Sequence, residues 1–313
     1  MAFKTLLVSG AVLTLMACGV SNPAEDQDNK QAPDTAVTTE ATTEDTVKSK
    51  AADPAAEAGL KLYALSCGEI DISDLGGFST GGEFAGQARV FVDSCYLIRH
   101  KNGDLMWDAG LPDELAQSPE GVQNGVFRVS VPVTLASQLE QLGVEPAGIS
   151  YFAMSHSHFD HTGNANLFAN GPKWIVDASE REWMFNAGPE TGLTQLNTYD
   201  KLQDQEPLLI DQDHDVFGDG SVTIIRTPGH TPGHLALLVK LPNAGNLLLT
   251  GDLYHMPESR EFKRVPAFNT SPEQTLASMD KFEALAEQYN AKVIIQHSRE
   301  DVQSLPAFPA FAD

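Results

Sequence analysis

The chain has 313 residues, three cysteines and a formal net charge of −23. That length holds one large domain or two, with a substantial buried core. The charge argues against a nucleic-acid partner, because a polyanion would be repelled.

The first stretch, "MAFKTLLVSGAVLTLMACG", places Lys4 before an apolar run too short to span a bilayer comfortably. It reads as a secretory signal over residues 1–17. Leu15-Met16-Ala17-Cys18 has the form of a bacterial lipobox, with Cys18 as the lipidated first residue of the mature protein. Gly19 after it resembles the sorting pattern of outer-membrane lipoproteins, so the expected location is the outer membrane, facing the periplasm. Residues 18–59 are rich in Thr, Ala, Asp and Glu and contain no aromatic residue. Such a segment buries too little surface to offset its ordering entropy and reads as a disordered acidic tether.

Residues 60–313 read as the folded domain. "KLYALSC" and "ARVFVDSCYLIR" have strand patterning, and "GDLMWDAG" ends a third strand at Asp108. Cys67 and Cys95 fall on the first two strands; an exported compartment permits a bridge, but spacing alone leaves it open. The stretch 132–142 reads as a helix, "ISYFAMS" as a buried strand, and "KWIVDA" then "SEREWMFNA" as strand and helix. A second set follows: the strands "SVTIIR", "HLALLVKL" and "NLLLTGD", a helix opening at Ser271-Pro272, and the strand "AKVIIQH". Two such halves predict two packed sheets with helices outside, an α+β fold.

"SHSHFDHTGNAN", residues 155–166, crowds His156, His158, Asp160 and His161 behind an apolar strand. Imidazole and carboxylate are metal donors, and four of them on one tight loop can face two ions. His230 in "TPGHTPGH", Asp252 in "LLLTGD" and His297 in "VIIQH" stand at the ends of three other apolar strands. That repetition points to one shared site. His234 and Asp108 read as residues that orient ligands rather than bind metal. His100 and His214 lie in polar loop sequence and read as solvated.

The His-x-His-x-Asp-His run at 156–161 resembles the signature of the metallo-β-lactamase superfamily. "WDAG", "TPGHTPGH", "TGD" and the late "QH" accompany it in the same chain order. The resemblance implies an αβ/βα four-layer sandwich with two divalent metals at the sheet edges. By motif, His156, His158 and His230 would bind the first ion, Asp160, His161 and His297 the second, and Asp252 both. Histidine at position 158 favours zinc.

Within that superfamily, "SHSHFDHTGNANLF", "TPGHTPGHLALLV" and "VPAFNTSPEQTL" are similar to the N-acyl homoserine lactone lactonases. This implies metal-activated water opening the lactone ring of an amphipathic acyl lactone. Organophosphate hydrolases share the ligand set, so phosphotriester or other ester hydrolysis is the alternative. A non-catalytic binding lipoprotein is a third reading. Lactonases of this type carry a tyrosine three residues after the bridging aspartate; here that position is His255, with Tyr254 beside it. Asp252, Tyr254 and His255 are therefore the expected catalytic residues, with the choice between the last two open. Phe127 in the loop 111–131, and Phe262, Val265, Pro266 and Phe268 in 255–270, are candidates for an acyl groove. Arg260, Lys263 and Arg264 could serve an anionic substrate, with solvation as the simpler role. The expected partners are the small-molecule substrate and a membrane reached only through the lipid at Cys18.

Overall fold

The computed structural model describes residues 59–313. The expected signal peptide, Cys18 and the expected tether up to residue 58 lie outside the described residues.

Two sheets form the centre. The larger is built from β1 (Lys61–Ile72), β2 (Arg89–His100), β3 (Gly103–Trp107), β4 (Val122–Asn124), β5 (Phe127–Ser130), β6 (Tyr151–Ala153), β7 (Lys173–Asp177) and β8 (Leu208–Ile210). Its order is β4-β5-β1-β2-β3-β6-β7-β8, and β3, β6, β7 and β8 run parallel. The smaller contains β9 (His214–Asp215), β10 (Val222–Arg226), β11 (Leu235–Leu241), β12 (Gly245–Leu249) and β13 (Lys292–Ile294), in the order β13-β12-β11-β10-β9. Among the described residues, six α-helices accompany them: α1 (Leu135–Gln141), α2 (Phe159–Thr162), α3 (Ala178–Phe185), α4 (Pro257–Glu261), α5 (Pro272–Gln288) and α6 (Arg299–Gln303).

The layering follows from period-two alternation, which sends successive strand side chains to opposite faces. In β11, Leu235, Leu237 and Val239 enter the core between the sheets, where they join Tyr96, Trp107 and Ile175 of the larger sheet. Ala236 and Leu238 face the other way, into a cluster with Met279 and Phe282 of α5. The larger sheet is covered likewise, Leu97, Phe152 and Trp174 packing with Leu135 and Leu139 of α1 and Met184 of α3. Both sheets are thus apolar on both faces, and the result is the expected αβ/βα sandwich. Ser271 caps α5, its Oγ accepting from Gln274 N–H, and Pro272 occupies the first turn, as the Ser-Pro pair predicts.

Three expectations change. The segment 111–131 is not one loop but carries a short 3₁₀ turn and the β4–β5 hairpin, whose strands of three and four residues are too short for pattern reading. His100 is buried: it ends β2, stacks on Phe217 at 4.2 Å between centroids, and lies 2.9 Å from Asp219 Oδ2. His214 is half-buried in β9, paired with Ile224. Cys67 and Cys95 form a disulfide between the adjacent strands β1 and β2.

Candidate metal centre

The donors come from loops at the ends of β6, β10, β12 and β13, all on one edge of the sandwich. Two groups of four assemble there, all of them buried: His156, His158, His230 and Asp252, and Asp160, His161, His297 and Asp252. Asp252 belongs to both. Its Oδ2 lies 3.6 Å from His156 Nε2 and 3.4 Å from His230 Nε2, and its Oδ1 lies 3.2 Å from His161 Nε2 and 2.9 Å from His297 Nε2.

Metal fits this arrangement and little else does. His230 Nε2 lies 3.1 Å from His156 Nε2 and 3.0 Å from His158 Nδ1, so three imidazole nitrogens converge. Donors bound at about 2.0–2.1 Å in tetrahedral geometry would be about 3.3 Å apart. His161 Nε2 and Asp252 Oδ1 are buried 3.2 Å apart with no well-aligned hydrogen bond, an expensive state that a cation between them would relieve. Burial above all drives the pKa values of His156 and His158 well below the usual imidazole range, which keeps both neutral and able to donate a lone pair. Burial opposes ionisation of Asp252, but the imidazoles of His255, His297 and His161 outweigh it and hold its carboxyl well below the usual range.

The outer partners fix which nitrogen faces inward. His230 Nδ1 donates to Asn269 Oδ1 and His297 Nδ1 donates to Val92 O, both at 2.9 Å. Ser155 Oγ sits 3.1 Å from Nδ1 of both His156 and His161. Asp108, held at φ +62°, accepts from Ser155 N–H at 2.6 Å and from Gln296 Nε2 at 2.8 Å, and lies 3.2 Å from His161 Nδ1. His234 accepts from the Asp252 N–H through Nε2 at 2.9 Å, and its Nδ1 donates to Thr227 O. Gly251 beside it has φ +52°, and a Cβ there would stand 2.7 Å from His234 Nε2, so only glycine lets the bridging turn approach. His234 and Asp108 orient their neighbours, as their sequence settings suggest.

The two substrate-facing candidates separate. His255 Nε2 is 3.0 Å from Asp252 Oδ2, and its ring sits among Phe78, Phe91 and Phe268. Tyr254 turns away: its hydroxyl donates to Glu283 Oε1 at 3.0 Å and its ring packs on Phe282. Adjacent residues in extended backbone point to opposite sides, so only one of the pair can face the donors.

A small pocket of about 40 Å³ reaches the donors between His158, Asp252, His255 and His297. Phe127, Phe159 and Leu193 wall both it and a groove of about 440 Å³ beyond, bounded by the β4–β5 hairpin. Of the groove candidates, Phe127 and Phe268 line this space. Phe262 is exposed, and Val265 is buried in the core under α5. Arg260, Lys263 and Arg264 are ion-paired with Glu283, Asp280 and Glu83, so none stands ready for an anionic substrate. Phe159 and Leu193 were not singled out from sequence. Phe159 lies inside the quoted histidine motif, whereas Leu193 sits in a segment without strand or helix periodicity.

Two sheets covered by helices, with histidine and carboxylate donors gathered at one edge, define the metallo-hydrolase class of this fold. The family model of the metallo-beta-lactamase superfamily matches residues 88–297, and the chain belongs to that superfamily. It is similar to the N-acyl homoserine lactonase AttM of Rhizobium radiobacter, 36% identical over 225 residues, covering 69% of this chain and 85% of that protein. The N-acyl homoserine lactonase of Bacillus thuringiensis is 30% identical over 263 residues, 80% of this chain and 98% of that one. A solved N-acyl homoserine lactone hydrolase, with the product N-hexanoyl-L-homoserine bound at its catalytic metal centre, superposes with a TM-score of 0.67. It is 25% identical over 80% of this chain and 98% of its own.

Proposed function

We propose that this chain is a dinuclear metal-dependent hydrolase that opens the lactone ring of N-acyl homoserine lactones, with zinc as its metal. The observation that carries the reading is the sharing of Asp252 between two four-donor groups beside an apolar groove. In this reading His156, His158 and His230 hold one ion, and Asp160, His161 and His297 the other. Two divalent ions, when bound, acidify a water and polarise a carbonyl. The water oxygen bonds to the lactone carbonyl carbon, the carbon–ring-oxygen bond breaks, and the proton released ends on the ring oxygen. Asp252 is the carrier of that proton, its Oδ2 held by His255 Nε2.

Phe127, Phe159 and Leu193 receive the acyl chain, and their apolar walls exclude water around the reacting carbonyl. The lipobox and the acidic segment behind it support an anchor at Cys18 and a position at the outer membrane, where permeant acyl lactones pass. A panel of lactones, phosphotriesters and β-lactams on purified protein tests the substrate class. Cleavage of phosphotriesters without lactone opening would replace the reading with its alternative. For the anchor, Cys18→Ala should move the protein from the membrane fraction to the soluble one; an already soluble wild type would refute it.

A further inference from the structure

Glu180 lies on α3, contributes no metal donor, and is only 3% exposed. Its carboxylate spans the two loops that carry the three histidines of the first donor group. Oε1 accepts from Ser157 N–H at 2.9 Å and from Ser157 Oγ at 2.6 Å; Oε2 accepts from Gly233 N–H at 3.0 Å. Ser157 stands between His156 and His158, on the loop after β6 in the larger sheet. Gly233 stands between His230 and His234, on the loop after β10 in the smaller one. The contact is tight: a Cβ on Gly233 would lie 2.5 Å from Glu180 N and 2.6 Å from Asp177 Oδ1. Asp177 anchors the same helix end, its Oδ1 accepting from Ser179 N–H and its Oδ2 from Arg226 Nε at the end of β10.

A buried carboxylate that accepts from both loops costs free energy unless those donors stay in place, so it resists their separation. We propose that Glu180 is the positioning residue of the first metal ion, setting the distance between the His156–His158 pair and His230. Asp108 does the corresponding work on the other side, through Ser155, His161 and Gln296, and does not touch the His230 loop. Ser155 Oγ also reaches His156, so Asp108 bears on both groups, whereas Glu180 joins only the two loops of the first group's histidines, and losing it weakens the first ion selectively. The inference rests on the two-ion reading.

The test is a chelator competition on wild type, Glu180→Gln and Ser157→Ala, with cobalt absorption spectra and metal-free thermal midpoints recorded alongside. Glutamine keeps an acceptor for Ser157 but sets an amide N–H against Gly233 N–H. The expected result is a first-ion affinity lower by about 10–100-fold in Glu180→Gln, with the second unchanged. One equivalent of cobalt should change its spectrum. Ser157→Ala, which keeps the backbone bond, should lose less. The metal-free midpoints should differ little between wild type and Ser157→Ala, so fold loss does not mimic the effect. Equal affinities in wild type and Glu180→Gln, or both ions weakened together, would overturn the inference alone. A wild type that binds fewer than two ions would overturn the two-ion reading and the inference with it.

Discussion

His255 presents Nε2 to Asp252 Oδ2 at 3.0 Å, while its neighbour Tyr254 spends its hydroxyl on Glu283 on the far side of the same segment. The two residues should therefore respond differently to substitution. Tyr254→Phe should leave kcat/KM within about threefold of wild type and cost about 1 kcal/mol of stability through the lost hydrogen bond. His255→Phe removes a bond to a charged acceptor, worth about 1.5–3 kcal/mol, and should lower kcat by roughly 10–100-fold with two ions still bound. Paired kinetics and denaturant unfolding decide this. A loss in Tyr254→Phe as large as that in His255→Phe would contradict the assignment.

Asp252 is the one anionic donor common to both groups. Asp252→Ala should lose more than about 100-fold in activity and bind fewer than two ions, read by elemental analysis of dialysed protein. Chelation should abolish hydrolysis, and zinc, cobalt or manganese should restore it. Full activity in metal-free protein is the outcome that does not fit.

Asp108 accepts from Ser155 and Gln296 with different oxygens, so asparagine can satisfy only one of them. Asp108→Asn should weaken the second ion by about 10–100-fold and the first, which it reaches only through Ser155, by less. Metal titration followed by calorimetry separates the two steps. Uniform weakening of both would show that Asp108 supports the fold rather than one side of the centre.

Phe127 is a wall shared by the small pocket and the larger groove. A buried methylene is worth about 0.8 kcal/mol, so groove contacts accumulate along an acyl chain. Phe127→Ala should reduce kcat/KM for a decanoyl lactone by about tenfold and for a butanoyl lactone by less than about threefold. Equal losses on both substrates would place the chain elsewhere.

The parts of this fold that were legible share one physical cause. Apolar strands such as β10 and β12 lead into a chemically distinct residue, so His230 and Asp252 marked both their strands and their place in the shared cluster. The histidine motif did the same for the loop after β6. What stayed hidden depends on pairing across sequence distance. Glu180 looks like an ordinary helix residue in "SEREWMF" until Ser157 and Gly233 are brought to it. The β4–β5 hairpin is too short to show a period, and Leu193 belongs to a segment held by its neighbours rather than by its own pattern. His100 reads as polar surface because Phe217 and Asp219, which bury and bind it, lie more than a hundred residues away. The choice between Tyr254 and His255 needed the backbone direction after Asp252, which no composition rule supplies.

The most direct test of the account is the mass of the product formed from an N-acyl homoserine lactone by purified, metal-loaded protein, before and after acidification. Ring opening predicts an acyl homoserine one water heavier than the substrate, which recloses to the lactone in acid. Release of free homoserine lactone and a fatty acid, or no change in the lactone beside rapid phosphotriester cleavage, would contradict it.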